Sequence, residues 1–295
     1  MNSLAAPVRI SLRHVLFPTD FSSCSETALQ YGVALCRRYD ATLYAVTIVP
    51  PEITDYVQPP DPFFLRHSAE KKMASLVESE LFRGIKHGEL VKEGFVSDLL
   101  PELIDRLEID LVVLGTHGRG GIKKLVLGSV AEEIIDSARC PVLTVGPKVL
   151  PKSDVKLQNI VCAIDLAHDS GIELTYALWL TEQEHAHLTL LHVLKPATGV
   201  PPGYAESQKE MAMKLLMQLL PPERTASVEA EGIVEIGVPG EHILKVAEVQ
   251  KADLIVLGPH YTSYAQVSTH LPWVIPHQVL CHAHCPVLTV RDRIF

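Results

Sequence analysis

The sequence predicts an α/β protein of two tandem doubly wound (Rossmann-like) domains, 1–150 and 151–295. Each is expected to be a five-stranded parallel sheet of order 3-2-1-4-5 flanked by helices. Three observations predict it. Short apolar runs alternate with amphipathic helical patterns along the chain. Runs such as "LVVL" (111–114) and "LIVL" (254–257) are apolar throughout rather than alternating, as in parallel strands covered on both faces. Finally, the second half repeats the first. "HVLFPTDFSSCSETALQYGVALCRRYDATLYAVTIV" from His14 and "NIVCAIDLAHDSGIELTYALWLTEQEHAHLTLLHVL" from Asn159 share one pattern: apolar strand, aspartate, polar turn, amphipathic helix, apolar strand. "IDLVVLG" (109–115) matches "ADLIVLG" (252–258), and "RCPVLTV" (139–145) matches "HCPVLTV" (284–290). Asp20 and Asp165 stand 145 residues apart, as do Cys140 and Cys285. A common register of this kind marks an internal repeat.

In the first half the apolar runs place strands near 14–18, 42–49, 88–94, 110–115 and 141–146. The helical patterns between them fall near 23–39, 66–87, 97–108 and 129–138. Such alternation implies right-handed crossovers. The polar, proline-bearing "GPKVLPKSDVKLQ" (146–158) reads as the linker. In an open sheet of this order, ligands bind beyond the carboxyl ends of strands 1 and 4, where the strand order reverses. The loops there are "PTDFSS" (18–23) and "GTHGRGGIKKLVLGS" (115–129).

Composition bounds the partners. The chain has 295 residues, an apolar fraction of 47% and a charged fraction of 21%, which suits a globular protein with substantial cores. A net charge of −9 argues against nucleic acid as the main partner, since phosphate backbones are met by basic surfaces. No apolar run approaches the ~18 residues of a membrane-spanning helix. Arg9 and Arg13 interrupt the N-terminal stretch where a signal peptide would be apolar. Six cysteines form no dense disulfide framework, so reduced thiols and a cytoplasmic location are expected.

The segment 115–129 carries the chemistry. Its spacing is Gly115-x2-Gly118-x9-Gly128-Ser129, neither a P-loop nor a G-x-G-x-x-G fingerprint. Glycine permits a close approach of a ligand to main-chain amides. Ser129 stands before the amphipathic "VAEEIIDSA", at a helix N-terminus where unpaired amides and the dipole favour an anion. Ser129 and Glu132 also form a capping-box pattern, which needs no ligand. Arg119, Lys123 and Lys124 supply positive charge that serves either an anion or a solvated loop face.

Here the sequence resembles the universal stress proteins of the ATP-binding type. "GTHGRGGIKKLVLGS" follows their G-2x-G-9x-G-[S/T] motif, and "VLFPTD", "GSVAEEII" and "CPVLTV" are also typical. The resemblance covers nearly the whole chain as two tandem domains. It implies ATP, with or without Mg2+, and phosphate or ribose contacts from Gly115, Gly118, Gly128, Ser129 and the Val130 amide. Pro18, Thr19 and Asp20 would border the ribose or a metal on the phosphates, His117 and Arg119 would lie in the phosphate loop, and the Val46 main chain would meet adenine. Asp20 alternatively caps the first helix. The resemblance also implies pairing of the two "PVLTV" strands into an intrachain pseudo-dimer; a homodimer of chains and an unidentified protein partner are expected beside it.

The second half departs from the motif. Gly258 is kept, but Tyr261 replaces Gly118, and Trp273-Val274 stand against Gly128-Ser129. A tryptophan buries ~150–250 Å² and would fill a nucleotide's space. Its site is therefore expected to be lost, with one ATP per chain. Pro276 fits the start of the last helix. Ten of the fourteen histidines lie in this half, including "HAH" (185–187) and "CHAHC" (281–285), yet paired zinc-ligand spacing is absent and no metal site is expected. "VPPEITDYVQPPDPFF" (49–64) is a lid over the first crevice or a surface loop. Asp20 and His117 form no recognisable catalytic constellation, so binding is favoured over turnover, with a slow ATPase or phosphotransferase and a dimerisation scaffold as the other readings.

Overall fold

In the computed structural model, residues 10–51, 62–116, 127–152, 154–167, 171–196, 199, 201–224, 228–258 and 274–290 are described. The chain divides into two compact units, Ser11–Val155 and Lys156–Asp292.

The first unit runs β1 (His14–Pro18), α1 (Ser23–Tyr39), β2 (Thr42–Val49), α2 (Pro62–Val77), β3 (Lys86–Glu93), α3 (Val96–Arg106), β4 (Leu111–Gly115), α4 (Ser129–Ser137) and β5 (Val142–Val145). Its strands pair in parallel in the order β3-β2-β1-β4-β5. The second unit runs β6 (Asn159–Ala163), α5 (Gly171–Glu184), β7 (His187–Leu194), α6 (Tyr204–Gln218), β8 (Glu229–Ile236), α7 (Pro239–Val249), β9 (Leu254–Leu257), α8 (Val274–His282) and β10 (Val287–Thr289). Its parallel order is β8-β7-β6-β9-β10. Each half is thus doubly wound in the order 3-2-1-4-5.

Burial follows the apolar runs. Val15, Leu16 and Phe17 of β1, Val112 and Val113 of β4, and Val161 and Cys162 of β6 are all at most 1% exposed. One anchoring device occurs in both halves. The Asp110 carboxylate, just before β4, accepts the N–H groups of Arg13 (2.7 Å) and His14 (3.0 Å) at the start of β1. Asp253, just before β9, accepts those of Gln158 (3.0 Å) and Asn159 (3.2 Å). Each aspartate satisfies main-chain donors that the sheet ladder does not reach, and so fixes the register of the two strands that flank the crevice.

One expected element is shorter than the sequence suggests. The helix expected over 66–87 ends at Val77 and is followed by a 3-10 turn, Glu80–Phe82. Phe82 is driven into the core at 2% exposure, and Gly84 takes a left-handed φ of 78°. Arg37 of α1 donates to the carbonyls of Leu81 (2.8 Å) and Arg83 (3.3 Å), holding the reversal. Tertiary contacts override a helix-forming composition there. The segment 52–61, most of the expected lid, lies outside the described residues.

Candidate functional site

The candidate site of the N-terminal half comprises three main-chain segments: the turn after β1, the end of β4 and the start of α4. The first is the turn from β1 into α1. Thr19 is 8% exposed, and its hydroxyl shares a 2.7 Å hydrogen bond with the Ser25 hydroxyl while accepting the Phe21 N–H at 3.0 Å. The Thr19 N–H donates to the Val46 carbonyl at 2.8 Å, tying the turn to the end of β2. Asp20 accepts the Ser22 N–H at 3.0 Å, and Phe21 takes a φ of 60° to make the reversal. Pro18, which closes β1, pairs in register with Val46.

The alternative reading of Asp20 as helix cap is corrected. The N-cap of α1 is Ser22, whose side chain accepts the Ser25 N–H at 3.3 Å. Asp20 acts one step earlier, on the N–H of the cap residue itself. Proline, threonine, aspartate and two serines thereby form one rigid turn, an arrangement expected of Asx and serine side chains. The network of Thr19, Ser22 and Ser25 has one signal in the sequence, the spacing of Ser22 and Ser25 before an amphipathic run.

The second segment is the end of β4. Gly115 is a close-approach position. A Cβ placed on it would lie 2.8 Å from the Cys24 carbonyl carbon and 2.9 Å from both the Cys24 oxygen and the Ser25 nitrogen. The missing side chain lets the first turn of α1 lie directly on β4. The Cys24 thiol donates to the Val145 carbonyl (3.3 Å), which also receives the Thr116 N–H (3.1 Å).

The third segment is the start of α4. Gly128 donates its N–H to the Thr116 carbonyl at 2.8 Å, so the far end of the glycine segment returns to the end of β4. Gly128 is the N-cap, with φ −66° and ψ 142°, and makes no side-chain cap bond. This corrects the expected capping box. Ser129 is the first helical residue and is exposed, as is Val130. The α4 N-terminus therefore carries no side-chain acceptor from its own N-cap. Gly115, Gly128, Ser129 and Val130 come together with Pro18, Thr19, Asp20 and Val46 at the switch point. His117, Gly118, Arg119, Lys123 and Lys124 lie outside the described residues.

The C-terminal half repeats the frame and changes its content. Asp165 accepts the Ala167 N–H at 3.0 Å, the same turn that Asp20 makes, and is 4% exposed. His192 donates through Nδ1 to the Ile164 carbonyl at 2.8 Å. At Gly258, a Cβ would meet the Glu173 carboxyl group, with its oxygens at 2.5 and 2.6 Å. The retained glycine makes room for a buried glutamate. Tyr261 and Trp273 lie outside the described residues, and α8 begins at Val274 with Pro276 in its first turn.

Burial pushes the Cys36 thiol up to about 12, which makes it a poor nucleophile. All six cysteines are free. Among the described residues no group of three or more His, Cys, Asp or Glu is arranged to hold a metal ion, and no helix is long and apolar enough to cross a membrane.

Comparison with known proteins gives a consistent picture. The family model described as the Universal stress protein family matches residues 11–146 and again 156–291. A universal stress protein of Mycolicibacterium smegmatis is 24% identical over 299 residues, covering 95% of this chain and 97% of that protein. A universal stress protein of Methanocaldococcus jannaschii is 28% identical over 153 residues, covering 49% of this chain and 88% of that protein. Among solved structures, a universal stress protein from Archaeoglobus fulgidus matches with a TM-score of 0.71 at 18% identity, covering 96% of this chain and 97% of the other, which shows the shared fold.

Proposed function

Since the chain belongs to the universal stress protein family, in both of its halves, we propose that it binds one ATP in the N-terminal half and acts as a nucleotide-dependent regulator of the stress response. The observation that carries this reading is the start of α4. Its N-cap is a glycine without a side-chain acceptor, held by the Gly128–Thr116 hydrogen bond at the topological switch point. Amides there receive a phosphate without displacing a cap, and charge-assisted hydrogen bonds contribute about 1.5–3 kcal/mol each. In this reading Gly118, His117 and Arg119 complete the phosphate loop, the Val46 main chain meets the base, and Asp20 faces the ribose or a Mg2+ ion on the phosphates. The turn that holds Asp20 is pinned by Thr19 and Ser22, which gives the carboxylate a fixed position.

Asp20 and His117 form no recognisable catalytic constellation in the sequence, which favours binding over turnover. The free cysteines suit a reducing compartment such as the cytoplasm. Titration calorimetry of the full chain with ATP tests the reading. One equivalent per chain is expected. Two equivalents would contradict the asymmetry of the halves, and no heat from micromolar to millimolar ATP would contradict nucleotide binding altogether.

A further inference from the structure

We infer that Glu173 is the residue that excludes phosphate-bearing ligands from the C-terminal crevice, by holding a carboxylate at the end of β9 where the N-terminal half offers only main chain. The inference rests on the nucleotide reading of the N-terminal half. Glu173 is in the first turn of α5 and is 1% exposed. Its carboxyl group lies against Gly258, the residue that follows β9. By the internal repeat its counterpart is Ala28, which is fully buried in α1. At the equivalent end of β4, Gly115 meets the Cys24 carbonyl and the Ser25 amide instead.

The exchange is partly compensated in volume. Where the first half has Phe17 at the end of β1, the second has Cys162 in β6, and both are at most 1% exposed. A large residue with a small one has become a small residue with a larger one, so the change in volume is partly offset. Chemistry is not conserved. Stability alone favours the alanine–phenylalanine arrangement, because a buried carboxyl group carries a desolvation penalty that a methyl group does not. A carboxyl group buried against the end of β9 breaks a local rule at the topological switch point, where function is expected. The carboxylate also acts on its neighbour: burial, and then the Glu173 charge, push the Cys162 thiol well above its ordinary range.

A polyphosphate brought to this place meets a like charge in a poorly screened environment, in addition to the loss of the glycines at 261 and 273. A neutral or cationic ligand would not be repelled. The two halves thus differ in the group packed against the strand-end glycine as well as in their loop sequences.

Grafting the pair into the N-terminal half tests this. Full-length chains carrying Phe17→Cys with Ala28→Glu, and Phe17→Cys with Ala28→Gln, are compared with the unaltered chain for ATP binding by calorimetry, with circular dichroism to confirm folding. The glutamine chain is expected to bind within about threefold of the unaltered one. The glutamate chain is expected to bind at least ~30-fold more weakly, about 2 kcal/mol. Equal binding by the two grafts would overturn the inference and leave the nucleotide reading intact. Failure of the unaltered chain to bind would overturn the nucleotide reading, and the inference with it. If the larger side chains prevent folding, Ala28→Asp against Ala28→Asn with Phe17 retained makes the same charge comparison, and equal binding by that pair overturns the inference equally.

Discussion

Replacing Gly128 by tryptophan, the residue that stands at the matching place in the second half, is expected to weaken ATP binding at least ~100-fold, about 2.7 kcal/mol. The backbone of Gly128 is at φ −66° and ψ 142°, a conformation open to any residue, so the helix it begins can be retained. What glycine supplies here is access. Its N–H is committed to the Thr116 carbonyl and its carbonyl to the Glu132 N–H at 2.9 Å, so an indole at this position cannot be moved aside by a shift of the main chain. It would stand over the amides of Ser129 and Val130. Loss of one or two charge-assisted bonds accounts for the predicted change. Calorimetry beside far-ultraviolet circular dichroism checks it: affinity should fall while helix content holds. An unaltered affinity would place the phosphates elsewhere.

Gly115→Ala is expected to have the second largest effect, on stability and on binding together. The added methyl would sit 2.8–2.9 Å from the main-chain atoms of Cys24 and Ser25. These atoms belong to a helix packed on the sheet, so relief requires α1 to move away from β4. Overpacking of this kind costs about 1–3 kcal/mol. A melting temperature lower by about 2–4 °C per kcal/mol follows for a unit of this size. The same movement would displace the Thr19–Ser25 hydrogen bond and the turn that carries Asp20, so ATP binding should weaken as well. Differential scanning fluorimetry with and without ATP separates the two losses. An unchanged melting temperature would show that the helix accommodates the methyl.

The sequence and the structure agree most closely where a run of apolar residues meets an unambiguous stop. β1, β2 and α1 begin and end where the pattern places them, because Pro18, the serines around Ser22, and Asp40 with its left-handed φ of 54° bound them chemically. The region after Val77 is different. Glu80, Leu81, Phe82 and Arg83 suit a helix by composition, and only the burial of Phe82 and the hold of Arg37 on two carbonyls end it. Those are long-range contacts that local periodicity does not encode.

The site divides in the same manner. The glycine spacing and Asp20 were legible because a motif names residue types at fixed intervals. The role of Gly115 was only half legible: that a side chain is missing is plain in the sequence, but that the space is taken by α1 rather than by a ligand needs coordinates. Ser129 followed by Glu132 had the letters of a capping box, yet the chain starts the helix one residue earlier on the preceding glycine. Glu173 carried a signal that was readable without coordinates. Once the halves are set in register at Asp20 and Asp165, a glutamate falls opposite Ala28, inside a helix face that is apolar in the first copy.

The asymmetry of the two halves is tested most directly by a crystal structure of the full chain grown with ATP. The nucleotide is expected in the N-terminal crevice alone, with its phosphates on the amides that begin α4 and its base at the Val46 main chain. Nucleotide density over Gly258 and Glu173 with the N-terminal crevice empty would contradict the account.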